Sequence, residues 1–278
     1  MAKLPIALIQ TRTPASPAAA LAHVEPLIRE AAAGGAKLIL TPEATNFLIR
    51  DPAARAAVLT DQNDDAVVVG LRALARELGV WLLIGSAIVK SGHEGDERAA
   101  NRSLLIDDAG VVVSTYDKLH VYDVDLPTGE RWRESAAIRP GDDAVVVDTP
   151  WARLGLTICY DIRFPQLYRA LARAGAGMIS VPAAFTVPTG EAHWETLLRA
   201  RAIETGCWIL APAQAGLHED GRRTWGRSTV IGPWGEVVAG LDHDEPGVLF
   251  ATLDFDAVVS ARNAVPQLTH DRTFGGPA

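Results

Sequence analysis

Sulfur is scarce in this chain. Its 278 residues hold two methionines and two cysteines, Cys159 and Cys207, with no CxxC spacing. A disulfide framework or a thiolate zinc site is therefore not expected, and either thiol would matter only by its reactivity. Lysine is scarce as well: Lys3, Lys37, Lys90 and Lys118 are the only ones, and arginine supplies the remaining fixed positive charge. No apolar run approaches the roughly 18 residues of a membrane span. The opening MAKLPIALIQTRTP is too short in its apolar stretch for a signal peptide, so the expectation is a cytoplasmic protein with no membrane partner. The net charge is −8 and no basic stripe stands out, which argues against nucleic acid as a partner. The seven histidines show neither HxxxH nor HxH spacing, so no metal is expected. A GxSxG elbow and a GxxxxGKS/T loop are both missing. Gly175-Ala176-Gly177 lacks the third glycine of a dinucleotide fingerprint and follows a helix where a strand is needed.

What is present is apolar and periodic. Apolar residues make up 48% of the chain, enough for a substantial core. Strand-like runs fall near 5–10, 37–42, 81–89, 103–107, 111–116, 145–148, 154–158, 177–182, 207–211, 228–231, 236–239 and 248–253. Asp108-Ala109-Gly110, Trp151-Ala152-Arg153 and Pro233-Trp234-Gly235 read as hairpin turns, so part of the sheet is antiparallel. Helical patterns cover about 17–33, 64–78, 165–174 and 191–205. The first stops before Gly34-Gly35, and the third opens on Pro165 and ends at Gly175. The Ala-rich stretch 52–57 suits helix or packing more than function. No Pro/Gly/Ser-rich linker divides the chain, so one α/β domain over 1–278 is expected.

Three segments deliver chemistry-bearing side chains at strand ends. Leu154-Gly155-Leu156-Thr157-Ile158 runs into Cys159, a turn follows, and Pro165 opens a helix whose N-terminus would favour the thiolate. A free cysteine is equally often a small buried hydrophobe, and at Cys159 both readings stand. Cys207, within Gly206-Cys207-Trp208-Ile209-Leu210, takes the buried reading. Leu38-Ile39-Leu40-Thr41-Pro42 ends on Glu43, either an exposed turn carboxylate or a partly buried proton shuttle. Tyr116-Asp117-Lys118-Leu119-His120 places a lysine just beyond a strand of an arginine-biased chain, a hint that a compact point charge is wanted there. A base, a cation and a thiol together suit acyl transfer.

At these residues the sequence closely resembles the nitrilase superfamily of carbon–nitrogen hydrolases. The family order of Glu, Lys and Cys is matched by Pro42-Glu43, Tyr116-Asp117-Lys118-Leu119-His120 and Ile158-Cys159-Tyr160-Asp161-Ile162-Arg163-Phe164-Pro165. The likeness continues through Arg133-Glu134-Ser135, Pro140-Gly141, Thr189-Gly190-Glu191-Ala192-His193-Trp194-Glu195, Arg199-Ala200-Arg201-Ala202-Ile203-Glu204-Thr205 and Pro233-Trp234-Gly235-Glu236. Within the superfamily it is most similar to the branch that contains deaminated-glutathione amidase and ω-amidase.

The resemblance implies a four-layer αββα sandwich, usually dimerised or assembled further, with no metal or organic cofactor. It implies Cys159 as nucleophile, Glu43 as general base, Lys118 as oxyanion-stabilising charge and Glu134 as a second glutamate that orients Lys118 and the substrate. A surface charge in the run Arg131-Trp132-Arg133 is the other reading of Glu134. Tyr160 would lend a backbone N–H to the oxyanion, and Arg163 would clamp a substrate carboxylate. Phe185 and Thr189 would line the acyl pocket, with loop packing as the alternative. The expected reaction is hydrolysis of a small carboxylate-bearing amide, with ammonia release and a thioester intermediate. Deaminated glutathione is the first substrate expected and α-ketoglutaramate or another small amide or carbamoyl compound the second. A catalytically silent binding scaffold is the non-enzymatic alternative.

Overall fold

The computed structural model describes residues 3–127 and 129–275. In chain order its strands are β1 (Leu4–Gln10), β2 (Leu38–Leu40), β3 (Trp81–Lys90), β4 (Ala99–Ile106), β5 (Val112–Asp117), β6 (Asp123–Asp125), β7 (Arg131–Arg133) and β8 (Val145–Asp148). These are followed by β9 (Arg153–Leu156), β10 (Met178–Ser180), β11 (Trp208–Ala211), β12 (Ala215–Leu217), β13 (Arg223–Trp225), β14 (Thr229–Ile231), β15 (Val237–Gly240) and β16 (Gly247–Leu253). The helices are α1 (Pro17–Ala33), α2 (Pro52–Val58), α3 (Ala66–Leu78), α4 (Pro165–Arg173), α5 (Val187–Thr205) and α6 (Phe255–Ala264).

Two six-stranded sheets dominate, ordered β16-β1-β2-β3-β4-β5 and β15-β14-β11-β10-β9-β8. In the first, β1, β2 and β3 are parallel; in the second, β9, β10 and β11 are. Parallel neighbours need crossovers, and α1, α3, α4 and α5 supply them. The three turns read from the sequence join the antiparallel pairs β4–β5, β8–β9 and β14–β15.

Side-chain alternation explains why the sheets stack. In β1, Ile6 and Leu8 pack between the sheets, while Ala7 and Ile9 face the other way, against Val24, Ile28, Val68 and Leu71 of α1 and α3. Strand β2 repeats the pattern, with Leu38 and Leu40 facing one way and Ile39 the other; so do β3 and β4, where Leu83 and Leu105 oppose Leu82 and Leu104. Both faces are thus apolar, and the first sheet must be covered twice. In the second sheet Gly155, Ile179 and Ile209 share the face that meets Leu171 of α4, and Leu154, Leu156, Met178 and Val230 share the opposite face, toward the first sheet. Each such leucine or isoleucine contributes roughly 1.5–3 kcal/mol on burial. The result is the α–β–β–α order of layers.

The helix ends follow the expected chemistry. Pro17 opens α1 and Pro165 opens α4; Gly79 and Gly206 close α3 and α5 in the left-handed conformation. Helix α5 begins four residues earlier than the periodicity suggested, at Val187 rather than Glu191, because Pro188 fits the first turn.

Candidate active site

Parallel strands deliver their C-terminal ends to one place. Glu43 follows β2, Cys159 follows β9, and Ala184 and Phe185 follow β10. Loops from opposite sheets can meet because Gly85, on β3, has no side chain. A Cβ there would lie 1.9 Å from the Thr41 carbonyl oxygen and 2.4 Å from Pro182. Lys118 comes just after β5, two residues beyond buried Tyr116 and on the same face of the strand.

The three groups are buried: Lys118 is 1% exposed, Glu43 6% and Cys159 8%. The Lys118 ammonium donates to Glu43 Oε1 at 2.9 Å and to Glu134 Oε1 and Oε2 at 3.0 and 2.8 Å. Asn101, on β4, donates from Nδ2 to Glu43 Oε1 at 2.9 Å and to Glu134 Oε1 at 3.3 Å. The backbone N–H of Ala184 donates to Glu43 Oε2 at 2.9 Å, and that of Tyr122 to Glu134 Oε2 at 2.6 Å. The Cys159 thiol lies near enough to Glu43 for each group to shift the other's pKa. A strand end, a neighbouring strand and two loops thus hold one carboxylate–ammonium–carboxylate cluster beside a thiol.

Its electrostatics follow from burial and neighbours. Burial alone would raise the Glu43 carboxyl. The Lys118 charge, the Lys118 and Asn101 hydrogen bonds and the nearby Cys159 thiol outweigh it and hold Glu43 below the ordinary glutamate value. Burial would lower Lys118, but Glu134, Glu43 and Cys159 together push it well above the ordinary lysine value. Burial and the Glu43 charge push the Cys159 thiol well up, and Lys118 offsets only part of this. The resting pair is therefore a carboxylate facing a thiol. The expectation that a helix N-terminus would favour the thiolate is overturned, because desolvation and an adjacent carboxylate dominate.

Backbone strain marks the same two loops. Cys159 has φ 48° and Ala44, next to Glu43, has φ 57°, both in the left-handed region that side chains rarely adopt. Asp161, fully buried, holds the Cys159 turn in place. Its Oδ2 accepts from the Ile158 N–H at 2.9 Å and the Tyr116 hydroxyl at 2.6 Å, and its Oδ1 from the His120 N–H at 3.0 Å. The turn that carries the thiol is thereby tied to the loop that carries Lys118.

A cavity of about 390 Å³ opens onto the cluster, and all eight residues singled out in the sequence line it: Glu43, Lys118, Glu134, Cys159, Tyr160, Arg163, Phe185 and Thr189. The Arg163 guanidinium lies 5.8 and 5.6 Å from the Tyr160 and Phe185 ring centroids, with Nη1 and Nη2 both 3.3 Å from His193 Nδ1. Thr189 Oγ1 is 2.8 Å from Thr186 Oγ1, and Phe185 packs on Trp194. Asn101, Tyr122, Trp132, Arg50 and Arg222 also line the cavity and were not anticipated. Only Asn101 left a signal: it shares the inward face of β4 with Ser103 and Leu105, a polar side chain at a core position. Among the described residues no group of His, Cys, Asp and Glu side chains could hold a metal ion, and no helix is long and apolar enough to cross a membrane.

Comparison with known proteins agrees with this geometry. Residues 5–263 match the carbon–nitrogen hydrolase family. The deaminated glutathione amidase of Yersinia enterocolitica is 42% identical over 253 residues, 91% of this chain and 87% of its own length. The solved C. elegans NitFhit protein has a TM-score of 0.88 at 35% identity; the match covers 97% of this chain and 65% of that one, just under two thirds. A mutant of the amidase from Nesterenkonia sp. AN1, solved showing the result of Michael addition of acrylamide at its active site cysteine, has a TM-score of 0.77 at 31% identity, covering 95% of this chain and 98% of that one. By family match and by fold, this chain belongs to the carbon–nitrogen hydrolases of the nitrilase superfamily and is an amidase, a hydrolase of carbon–nitrogen bonds other than peptide bonds.

Proposed function

We propose that the chain hydrolyses deaminated glutathione through a thioester on Cys159, with Glu43 as general base and Lys118 as the oxyanion's charge partner. The observation that supports this most is the meeting of a thiol, a carboxylate and an ammonium, 116 residues apart along the chain at their widest (159 − 43), at the end of one cavity. As sulfur bonds to the amide carbon, Glu43 takes the thiol proton. The carbonyl oxygen becomes an oxyanion beside Lys118 and the Tyr160 N–H. Three carboxylate oxygens face the ammonium at rest, so one of the two Glu134 contacts gives way to the oxyanion while the other keeps Lys118 oriented. Glu43 passes its proton to the departing nitrogen as the C–N bond breaks. Water, deprotonated by Glu43, then attacks the thioester; the C–S bond breaks and Cys159 regains its proton from Glu43.

In deaminated glutathione the scissile nitrogen belongs to a cysteinylglycine dipeptide, so the released amine is that dipeptide. Ammonia leaves only from primary amides such as α-ketoglutaramate. Relatives named deaminated glutathione amidase favour the former substrate. Arg163 has no carboxylate partner among the described residues, and we assign it to the 2-oxo acid carboxylate, with Phe185 and Thr189 along the acyl chain. Steady-state kinetics on both amides tests the choice. A kcat/KM at least roughly tenfold higher for deaminated glutathione is expected, and the reverse order would sink the assignment.

The reading takes this chain as one hydrolase domain, since the family match spans residues 5–263. A thiol nucleophile and a second free cysteine suit a reducing compartment such as the cytoplasm. A homodimer is supported by exposed Ile203, Trp234 and Val265, brought together where Arg199 of α5 donates to the Gly235 carbonyl and Gln267 to that of Ile203.

A further inference from the structure

The cavity has more positive charge than its catalytic cluster uses. Arg131 and Arg133 pair with Asp125. Arg50 forms no ion pair among the described residues; its guanidinium carbon lies 5.0 Å from the Trp132 ring centroid. The guanidinium carbon of Arg222 lies at the same distance from that ring. Arg222 is half-buried at the turn between β12 and β13, and its partnering is incomplete. Nη2 is 3.1 Å from Asp220 Oδ2, while Nε is buried with no hydrogen-bond partner. Asp220 Oδ2 is likewise buried without a hydrogen-bond partner, so Arg222 and Asp220 meet as an ion pair alone. Burial lowers the Arg222 pKa and the Arg50 charge lowers it further, against the pull of Asp220 and Glu43, so the two guanidiniums sense each other as like charges.

Position decides what this pair would bind. Arg50, Trp132 and Arg222 line both the catalytic cavity and a second one of about 610 Å³, whose other lining includes Trp225, Arg227 and the carboxylates Glu130 and Asp244. Arg163 lines the catalytic cavity and not the second one, beside the Tyr160 and Phe185 rings. The acyl part of the substrate is short and ends in a carboxylate suited to Arg163. The leaving group is longer, and the second cavity beyond the shared residues gives it room.

We propose that Arg222, supported by Arg50 and the Trp132 face, is a specificity-determining subsite for the terminal carboxylate of a peptide leaving group. It deepens the substrate reading above and rests on it. Two guanidiniums beside an aromatic plane suit a planar carboxylate, whose negative charge would relieve the contact between two like charges.

The test compares wild type with Arg222→Met on three amides: deaminated glutathione, its C-terminal glycinamide analogue, and α-ketoglutaramate. For deaminated glutathione kcat/KM should fall roughly 10- to 100-fold, the range of one hydrogen-bonded charge contact. The fall on α-ketoglutaramate should be at least roughly tenfold smaller. Wild type should show the same loss on the glycinamide analogue, to which Arg222→Met adds little, and Arg222→Lys should recover part of it. Equal losses on all three substrates, or additive losses from variant and analogue, overturn the subsite and leave the substrate reading intact. If wild type turns over only α-ketoglutaramate, the substrate reading falls. Calorimetric titration of Cys159→Ser then decides the subsite: binding of deaminated glutathione that needs both its terminal carboxylate and Arg222 sustains it, and binding indifferent to either overturns it.

Discussion

The two sulfurs of this chain sit in surroundings that are alike in one respect and opposite in the rest. Both thiols are buried, and burial pushes both above the ordinary cysteine value. Cys207, just before β11, is sealed. Its thiol donates to the Ala176 carbonyl at 3.2 Å, and Arg262 Nη2 approaches the sulfur at 3.0 Å. That cation is anchored by the Ala176 and Thr205 carbonyls at 2.7 and 3.1 Å, and no base faces the sulfur. Cys159 instead stands at a strained turn and lines the cavity together with the Glu43 carboxylate, whose charge raises its pKa. In the proposed mechanism the same charge that keeps this thiol protonated takes the proton once an electrophile arrives. Resting protonation state therefore does not tell a nucleophile from a filler. A base within reach and a route for a ligand do.

The sharpest way to break this contrast is to delete each sulfur. Cys159→Ala should lower kcat by roughly 10⁴-fold or more, because no other group can form the acyl intermediate. Its far-ultraviolet circular dichroism should match wild type, since the loss is one small side chain at a cavity wall. Residual activity within a factor of about ten of wild type would place the nucleophile elsewhere.

The pH profile separates the two thiols without mutation. Glu43 must be ionised for attack, and its carboxyl lies below its ordinary value of 4.5. Activity should therefore be lost only as pH falls through that depressed value, by roughly tenfold per unit beneath it. On the alkaline side the Cys159 thiol titrates well above 9.0 and the Lys118 ammonium well above 10.5, so kcat/KM should stay level across neutrality. Cys207 should leave no mark on the curve. An acid limb between pH 6 and 7 would contradict a Glu43 held down by Lys118.

Much of the fold was legible because its strands and helices bury periodic apolar faces. The elements that escaped had weaker patterns. The ribbon β6–β7 is mostly charged and exposed, as its sequences Asp123-Val124-Asp125 and Arg131-Trp132-Arg133 show. In α6 only Phe255, Val258 and Ala261 are buried, a thin stripe behind the Asp254 cap. Glu43 and Cys159 stood out because each ends an apolar strand on an ionisable group, and Lys118 because lysine is rare in this chain. The rest of the site lacked such a cue. The Ala184 and Tyr122 contacts are backbone donors, which side-chain identity does not announce. Arg222 is one arginine among many, and only the meeting of the β12–β13 turn with Trp132 sets it apart.

Removing the other sulfur should do least. Cys207→Ala deletes a buried atom whose thiol donates to the Ala176 carbonyl, with that of Thr205 farther off at 3.8 Å, and accepts from Arg262. Arg262 keeps its bonds to the Ala176 and Thr205 carbonyls, so no charge is stranded. The cost is a cavity of one sulfur and a weak hydrogen bond, about 1–2 kcal/mol. Urea denaturation should show that loss as a lower midpoint with an unchanged slope. Both kcat and KM should stay within about twofold of wild type, because nothing ties Arg262 to the Glu43 cluster and effects of distant, uncoupled sites do not propagate. A collapse of turnover in a folded Cys207→Ala protein would mean that the sealed sulfur and the open one are coupled, and the division drawn between them would have to be abandoned.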